Sequence, residues 1–483
     1  MSTTVEKQFE TVIGLEVHLQ FHTKTKIFCG CANDFGRDPN SHTCPVCLGL
    51  PGTLPVLNKV ALQYAVKVGL ALNCKINPYI KFDRKNYYYP DLPKGYQISQ
   101  YDLPIAQHGF LMIPTESGPK KIGIFRAHME EDAGKLIHDG QTQSSLVDYN
   151  RTGTPLLEIV SDPDLRSPQE AYDYLQTLKL ILQYLDVSDC DMEKGSLRCD
   201  ANVSLRRCGE KEFGTKAEVK NMNSFRAVKA ALEYEELRQS KMILSGERVV
   251  QETRLWSEEK GMTFSMRSKE EAHDYRYFPE PDLVPFTLTE KNIDDVRRTL
   301  PELPQEKFQR LQSQYEISAY DTQIIIQDPA LAAFLEECVA VGGVAVKKVC
   351  NWIIGPLQQE TNTRKVKFDQ LKLAPKNLMD LISKVEGGVV SNLVGKDILK
   401  MILDSGKTAE QIIQENGLAQ VSDDGTLDKV IDEIISQSDS VVQQIKEGKE
   451  SALGFLVGQV MKKTQGKANP KKAGELIRRR LSP

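Results

Sequence analysis

Residues 12–20, VIGLEVHLQ, alternate without a break: Ile13, Leu15, Val17 and Leu19 against Gly14, Glu16, His18 and Gln20. A helix would spread those apolar residues around its circumference. Period two fits a half-buried β-strand, whose polar face presents Glu16 and His18 side by side. SLRCDANVSLR repeats the pattern, with Leu197, Cys199, Ala201 and Val203 pointing one way and Arg198, Asp200, Asn202 and Ser204 the other. In TPLLEIV, Glu158 interrupts an apolar run, where a carboxylate is costly unless it is paired or bound to a metal. RAHMEEDAGK adds His128, Glu130, Glu131 and Asp132. A solvated strand face produces the same alternation. Four segments agree, however, and one places its glutamate inside a core run. A cluster of glutamates with one histidine suits Mg²⁺ or Mn²⁺, and hence phosphate chemistry.

Four of the ten cysteines fall in FCGCANDFGRDPNSHTCPVC, residues 28–47. The N-terminus MSTTVEKQFE is polar, and no run approaches the roughly 18 apolar residues of a membrane span. The chain is therefore expected in the cytoplasm, where thiols stay reduced and clustered cysteines more often bind metal. Asn33, Asp34, Gly36, Asp38, Pro39, Asn40 and Ser41 turn easily and let two Cys pairs converge. Cys44-Pro-Val-Cys47 has the spacing of a zinc knuckle, while Cys29-Gly-Cys31 is one residue tighter. Structural zinc on Cys29, Cys31, Cys44 and Cys47 is the favoured reading over unpaired structural cysteines or a redox pair. A closed four-cysteine site leaves the chemistry elsewhere.

At 483 residues the chain is long enough for several domains. Strand-like runs and turns dominate 1–295; helical periodicity takes over in 296–409; amphipathic helices ending in a basic tail occupy 410–483. Ser167-Pro168-Gln169-Glu170 is a capping box with proline at the first helical position, opening the helix AYDYLQTLKLILQYL. Residues 461–483 carry Lys462, Lys463, Lys467, Lys471, Lys472, Arg478, Arg479 and Arg480 against Glu475 alone. A net charge of −4 gives no global attraction to nucleic acid, so any such site must be local. Ser405-Gly406-Lys407-Thr408 imitates the end of a phosphate-binding loop, but Met401 stands where the first glycine is required. No glutaminase or amidase motif is present. KNYYYPDLPKGYQISQY, residues 85–101, mixes aromatic and basic residues that could stack a base or serve as core and turn tyrosines.

Taken in order, VIGLEVHLQ, FCGCANDFG with CPVC, LGLPGTLPVLN, FDRKNYYYPDLPKGYQISQY, RAHMEEDAGK, TPLLEIVSDPD, MEKGSLRCDANVSL, VKNMNS, DYRYFPEPDL and GFLVGQVMK resemble the GatB/GatE family. The resemblance runs through essentially the whole chain. It implies an α+β fold: an N-terminal mixed-sheet cradle similar to glutamine synthetase, then all-α helical and tail domains, the tail resembling YqeY proteins that bind tRNA. It further implies an ATP-dependent ligase that phosphorylates the side-chain carboxylate of Glu-tRNA(Gln) or Asp-tRNA(Asn). Ammonia from an amidase-family A subunit (GatA) then displaces the phosphate, with a small C subunit (GatC) completing a heterotrimer. The missing glutaminase motif fits that division of labour. Carried onto this sequence, Glu16, His18, Glu131 and Glu158 resemble the catalytic set, with Mg²⁺ on His18, Glu131 and Glu158. Glu193, Arg198, Asp200, Asn202, Lys220 and Asn223 are weaker candidates for nucleotide or acceptor-end contacts. The implied cofactors are ATP, Mg²⁺ and Zn²⁺.

Two rival readings are a zinc-stabilised tRNA-binding scaffold without chemistry and a ligase acting on a free amino acid. A pure RNA binder has no reason to gather Glu16, His18, Glu131 and Glu158 beside a polyanion. The basic tail argues against the second.

Overall fold

The computed structural model describes residues 8–138, 144–268, 275–418, 424–446, 450–464, 468 and 470–481; Lys467 of the basic tail lies outside them. The chain forms two compact units, 1–304 and 305–483. Among the described residues every strand lies before residue 288 and the second unit is helical, an α+β chain.

A nine-stranded sheet organises the first unit. Across it run Met262–Ser268, Glu252–Ser257, Ala217–Lys220, Leu197–Arg207, Phe9–Gln20, Pro155–Ser161, Lys120–Glu131, Ala106–Ile113 and Lys75–Ile76. All neighbours are antiparallel except Ala217–Lys220 with Glu252–Ser257. The N-terminal strand is central, because its apolar residues at every second position need cover that an edge would not give. Ile13, Leu15, Val17 and Leu19 are fully buried, while Glu16, His18 and Gln20 stay half-buried on the opposite face. Helices Lys59–Ala71, Pro168–Leu185 and Phe225–Leu244 cover the apolar face and share its core.

One irregularity matters for the polar face. Val160 pairs with Arg126 but Ser161 pairs with Ile124, so Phe125 is an extra residue in the Lys120–Glu131 strand. Such a bulge re-aims the residues beyond it. Ile122 and Ile124 point into the core before it, and Ala127 and Met129 do so after it. Arg126, His128 and Glu130 are thereby turned to the polar face.

Helix ends follow their sequence signals closely. Ser167 caps Pro168–Leu185 by accepting from the Glu170 N–H at 3.1 Å. The reciprocal half of the box is rewired: the Glu170 carboxylate accepts instead from the Arg166 N–H and Lys120, each at 2.7 Å. The phosphate-loop mimic is a joint between two helices. Gly406 ends Asn392–Ser405 at φ 70°, and Thr408 opens Ala409–Asn416 with a full capping box to Gln411. Positive φ explains the glycine without a ligand.

The second unit holds two apolar cores. Helices from Pro304–Tyr315 to Ala409–Asn416 build one, including Ala409, Ile412 and Ile413. Ile431, Ile434, Leu456, Val460, Ala468, Ala473 and Ile477 build the other. No helix among the described residues is long and apolar enough to cross a membrane.

Candidate functional site

Strand register assembles the polar face of the sheet. His18 sits opposite Glu158 on one side and Arg198 on the other, and Glu158 in turn sits opposite His128. Four strands thus contribute one row of side chains, Arg198, His18, Glu158 and His128. Glu130 stands two residues beyond His128 and shares its face. The Glu158 carboxylate lies 3.6 Å from His18 Nε2 and 3.3 Å from His128 Nε2. Glu130 reaches both imidazoles at 3.9 Å. Donor atoms of His18, Glu130 and Glu158 fall within 4.8 Å of one another, close enough to hold a metal ion together. Two carboxylates and an imidazole suit a hard, oxygen-preferring divalent cation. Among the described residues, His128 Nδ1 is buried without a partner.

The electrostatics of the cluster are mutual. Burial pushes the Glu158 carboxyl up, but His128 and then His18 outweigh it and hold it well below the usual range. For His18 burial opposes the charged ring, yet Glu158 and Glu130 overcome this and raise its pKa. Glu16 is raised by burial and by the charges of Glu158 and Glu218, against a 2.9 Å hydrogen bond from Asn202.

Of the sequence-predicted set, His18, Glu158 and Glu16 lie on this face. Glu131 does not join the metal-competent group. Period two turns it away from Glu130, and its carboxylate instead accepts from Lys94 and from the Ile98 N–H at 2.9 Å. That pair is buried, at 3% exposure for Glu131 and 8% for Lys94. Asn202 holds Glu16; Lys220 reaches Asp200 at 2.6 Å and Glu218 at 3.1 Å; Arg198 reaches Asp132 at 3.0 Å. Glu193 is exposed in a turn, and Asn223 is exposed just before helix Phe225–Leu244. The glutamate missed was Glu130, with His128 beside it. Counting by two from His128 would have found it.

The aromatic stretch 85–101 meets Tyr275 and Tyr277 near the cluster, where Glu130 and Glu158 act on the Tyr277 hydroxyl. Tyr101 stacks on Tyr277 with ring centroids 4.1 Å apart and planes 12° from parallel, and Tyr87 meets Tyr275 edge-on at 5.8 Å. Arg84 ties the motifs together, donating to Glu280 at 2.7 and 2.9 Å while lying 4.2 Å over the Tyr96 ring. Tyr88, at 91% exposure, is open to solvent.

The sulfurs of Cys29, Cys31, Cys44 and Cys47 converge within 4.8 Å, a set that could hold a metal ion. Cys29 donates to Cys47 and, against burial, helps bring the Cys47 thiol down to about 4, aided by the Cys44 N–H and the Lys26 charge. Lys26 is fully buried, with its ammonium 3.8 Å from that sulfur and 2.8 Å from the His42 carbonyl. An all-sulfur, closed arrangement of this kind suits zinc in a structural role. Cys29 and Cys47 also line a recess shared with Lys94 and Glu131.

Known proteins match this chain along similar boundaries. A family model described as the GatB/GatE catalytic domain matches residues 11–294, and one described as the GatB domain matches 333–481. The chain is 53% identical over 479 residues to the B subunit of the aspartyl/glutamyl-tRNA(Asn/Gln) amidotransferase of Carboxydothermus hydrogenoformans, covering 99% of each. Its likeness to the protein of the same name from Moorella thermoacetica is 54% over 476 residues, covering 98% of this chain and 100% of the relative. The Persephonella marina protein of that name is 49% identical over 474 residues, with the same coverage. The sheet that carries the acidic face lies within the catalytic-domain match, and similarity at half identity continues nearly end to end: this chain belongs to the GatB/GatE family.

Proposed function

We propose that the chain is the B subunit of a tRNA-dependent amidotransferase and carries its ATP-dependent step. Its substrate is the side-chain carboxylate of glutamate on tRNA(Gln), of aspartate on tRNA(Asn), or of both. The observation that carries the reading is the row His18, Glu158, His128 with Glu130, drawn from three strands, of which His18, Glu130 and Glu158 form one metal-competent group.

The chemistry explains why such a group is needed. A carboxylate resists ammonia because the attack would have to expel oxide. Conversion to an acyl phosphate supplies a good leaving group. Bringing two anions together requires positive charge and close positioning. His18, Glu130 and Glu158 would hold Mg²⁺, which when bound neutralises phosphate charge. Asn202 fixes the Glu16 carboxylate, and Lys220 and Arg198, each paired to an aspartate, order the next strand of the face. The Tyr101–Tyr277 stack lies near the carboxylates of Glu130 and Glu158. The sheet unit serves as the kinase cradle, of the glutamine-synthetase kind, with zinc on Cys29, Cys31, Cys44 and Cys47 bracing its loop. The partners are an amidase-family A subunit that makes ammonia (GatA) and a small C subunit (GatC), in the cytoplasm. The helices beyond residue 423 bind tRNA.

The test is amidation by the chain assembled with purified A and C subunits. Glu-tRNA(Gln) or Asp-tRNA(Asn) should be amidated only with ATP and a divalent cation, and His18→Ala should abolish label transfer from ATP while tRNA binding persists. Wild-type transfer by His18→Ala would leave the scaffold reading in its place.

A further inference from the structure

Arg126 stands two residues before His128, on the polar face, because the bulge at Phe125 turns it there. Its Nε is buried without a partner among the described residues, and its Nη1 donates to the Tyr101 carbonyl at 3.3 Å. Tyr101 is the residue whose ring stacks on Tyr277. Arg126, Glu130 and Glu158 all act on the Tyr277 hydroxyl: burial and then the two carboxylates raise its pKa, and the Arg126 charge opposes them. The guanidinium therefore shares its surroundings with the acidic cluster.

Its neighbours are accounted for differently. Arg198 is paired with Asp132, Lys220 with Asp200 and Glu218, and Lys94 with Glu131. Among the described residues Arg126 forms no ion pair. A partly buried guanidinium with an orphaned N–H is costly unless an anion joins it. The cluster's carboxylates face the two histidines instead. A planar donor set with a free edge is the group that suits a phosphoryl oxygen.

Resting on the kinase reading above, we propose that Arg126 is a catalytic residue that binds the transferring phosphoryl group of ATP. In that step an oxygen of the substrate carboxylate attacks the γ-phosphorus. The bond from that phosphorus to the β,γ-bridging oxygen breaks, ADP leaves with the electron pair, and no proton moves. Negative charge spreads over the equatorial oxygens, and Arg126 donates to one of them.

The experiment uses the assembled complex carrying Arg126→Ala or Arg126→Lys, with His18→Ala as control. Equilibrium binding of the imido analogue of ATP is compared with ADP, both with Mg²⁺, alongside single-turnover label transfer and tRNA filter binding. Arg126→Ala should weaken the analogue at least about tenfold while ADP stays within about twofold, as expected for loss of a charge-assisted contact to the third phosphate. Transfer should fall about a hundredfold or more, and free guanidinium should restore part of it. Arg126→Lys keeps the charge without the fork and should fall between. An unchanged analogue-to-ADP ratio in folded variants, or a transfer defect that guanidinium does not relieve, overturns the assignment and leaves Arg126 as a strut for the Tyr101 loop. Silent Arg126 variants beside a dead His18→Ala defeat this assignment alone; if His18→Ala also transfers normally, the kinase reading falls with it.

Discussion

Glu130 and Glu131 are adjacent in sequence but lie on opposite faces of their strand, which makes them a sharp pair to substitute. Glu130→Gln removes a charge from the group His18, Glu130 and Glu158, so divalent-cation binding and label transfer should both drop, transfer by about a hundredfold. Glu131→Gln removes the partner of buried Lys94. Its cost should appear as lost stability, about 3 kcal/mol or somewhat more in denaturant unfolding, because an unpaired charge stays behind. Metal affinity of Glu131→Gln should be near wild type. If titration with Mn²⁺ shows the opposite ranking, the face assignment of this strand is wrong. The sequence made His18 and Glu158 legible because alternation and a carboxylate in an apolar run are local signals. The choice between Glu130 and Glu131 depended on the phase of one strand. The bulge at Phe125 resets that phase, and a bulge leaves little mark in composition.

At the level of elements, the loop of residues 28–47 is tied down through Asn33, Asn40 and His42, while residues 34–41 are exposed. Ile27 N–H donates to the Gly153 carbonyl at 2.8 Å, and Lys26 is buried against the cluster. The convergence of four sulfurs joins the two ends of the exposed stretch. Replacing Cys44 and Cys47 with serine should therefore abolish bound zinc, expected at about one equivalent per chain by metal analysis. It should also open Arg37, exposed in the loop and paired among the described residues only with Asp34, to rapid tryptic cleavage. Native protein free of zinc, with all four thiols titrating at once, would remove the metal from this account. The cysteine convergence was readable from spacing and turn residues. The rewired capping box was not, because one of the partners that replace it, Lys120, lies fifty positions away in a strand. Likewise Arg84 and Glu280 give no hint of each other locally, yet their pairing brings the two aromatic motifs together. Long-range pairs between modest residues are what periodicity cannot see.

For the whole molecule, the proposal to test is that an acidic chain binds a polyanion through its basic tail. A boundary at 409/410 falls at the cap of a helix whose Ala409, Ile412 and Ile413 belong to the earlier core, so a cut after residue 418 separates the cores more cleanly. The tail's charge is also smaller than its count suggests. Lys463 is paired with Glu433, and Arg480 with Asp428 and Asp432. Lys462 and Arg479 are exposed at the ends of their helices. If these two contact phosphate, each releases close to one counterion on binding, and the double variant Lys462→Ala/Arg479→Ala should flatten the plot of log affinity against log salt by roughly 1.5–2 units. Deleting everything after residue 418 should weaken tRNA binding further at every salt concentration. Glutamine hydrolysis by the A subunit should survive both changes, since neither touches that partner's chemistry. Lys463→Ala is the internal control. Its charge is already neutralised, so its slope should stay within experimental error of wild type. Equal slopes for wild type and the double variant would mean that the tail's exposed cations are solvated surface and that tRNA is held elsewhere on the chain.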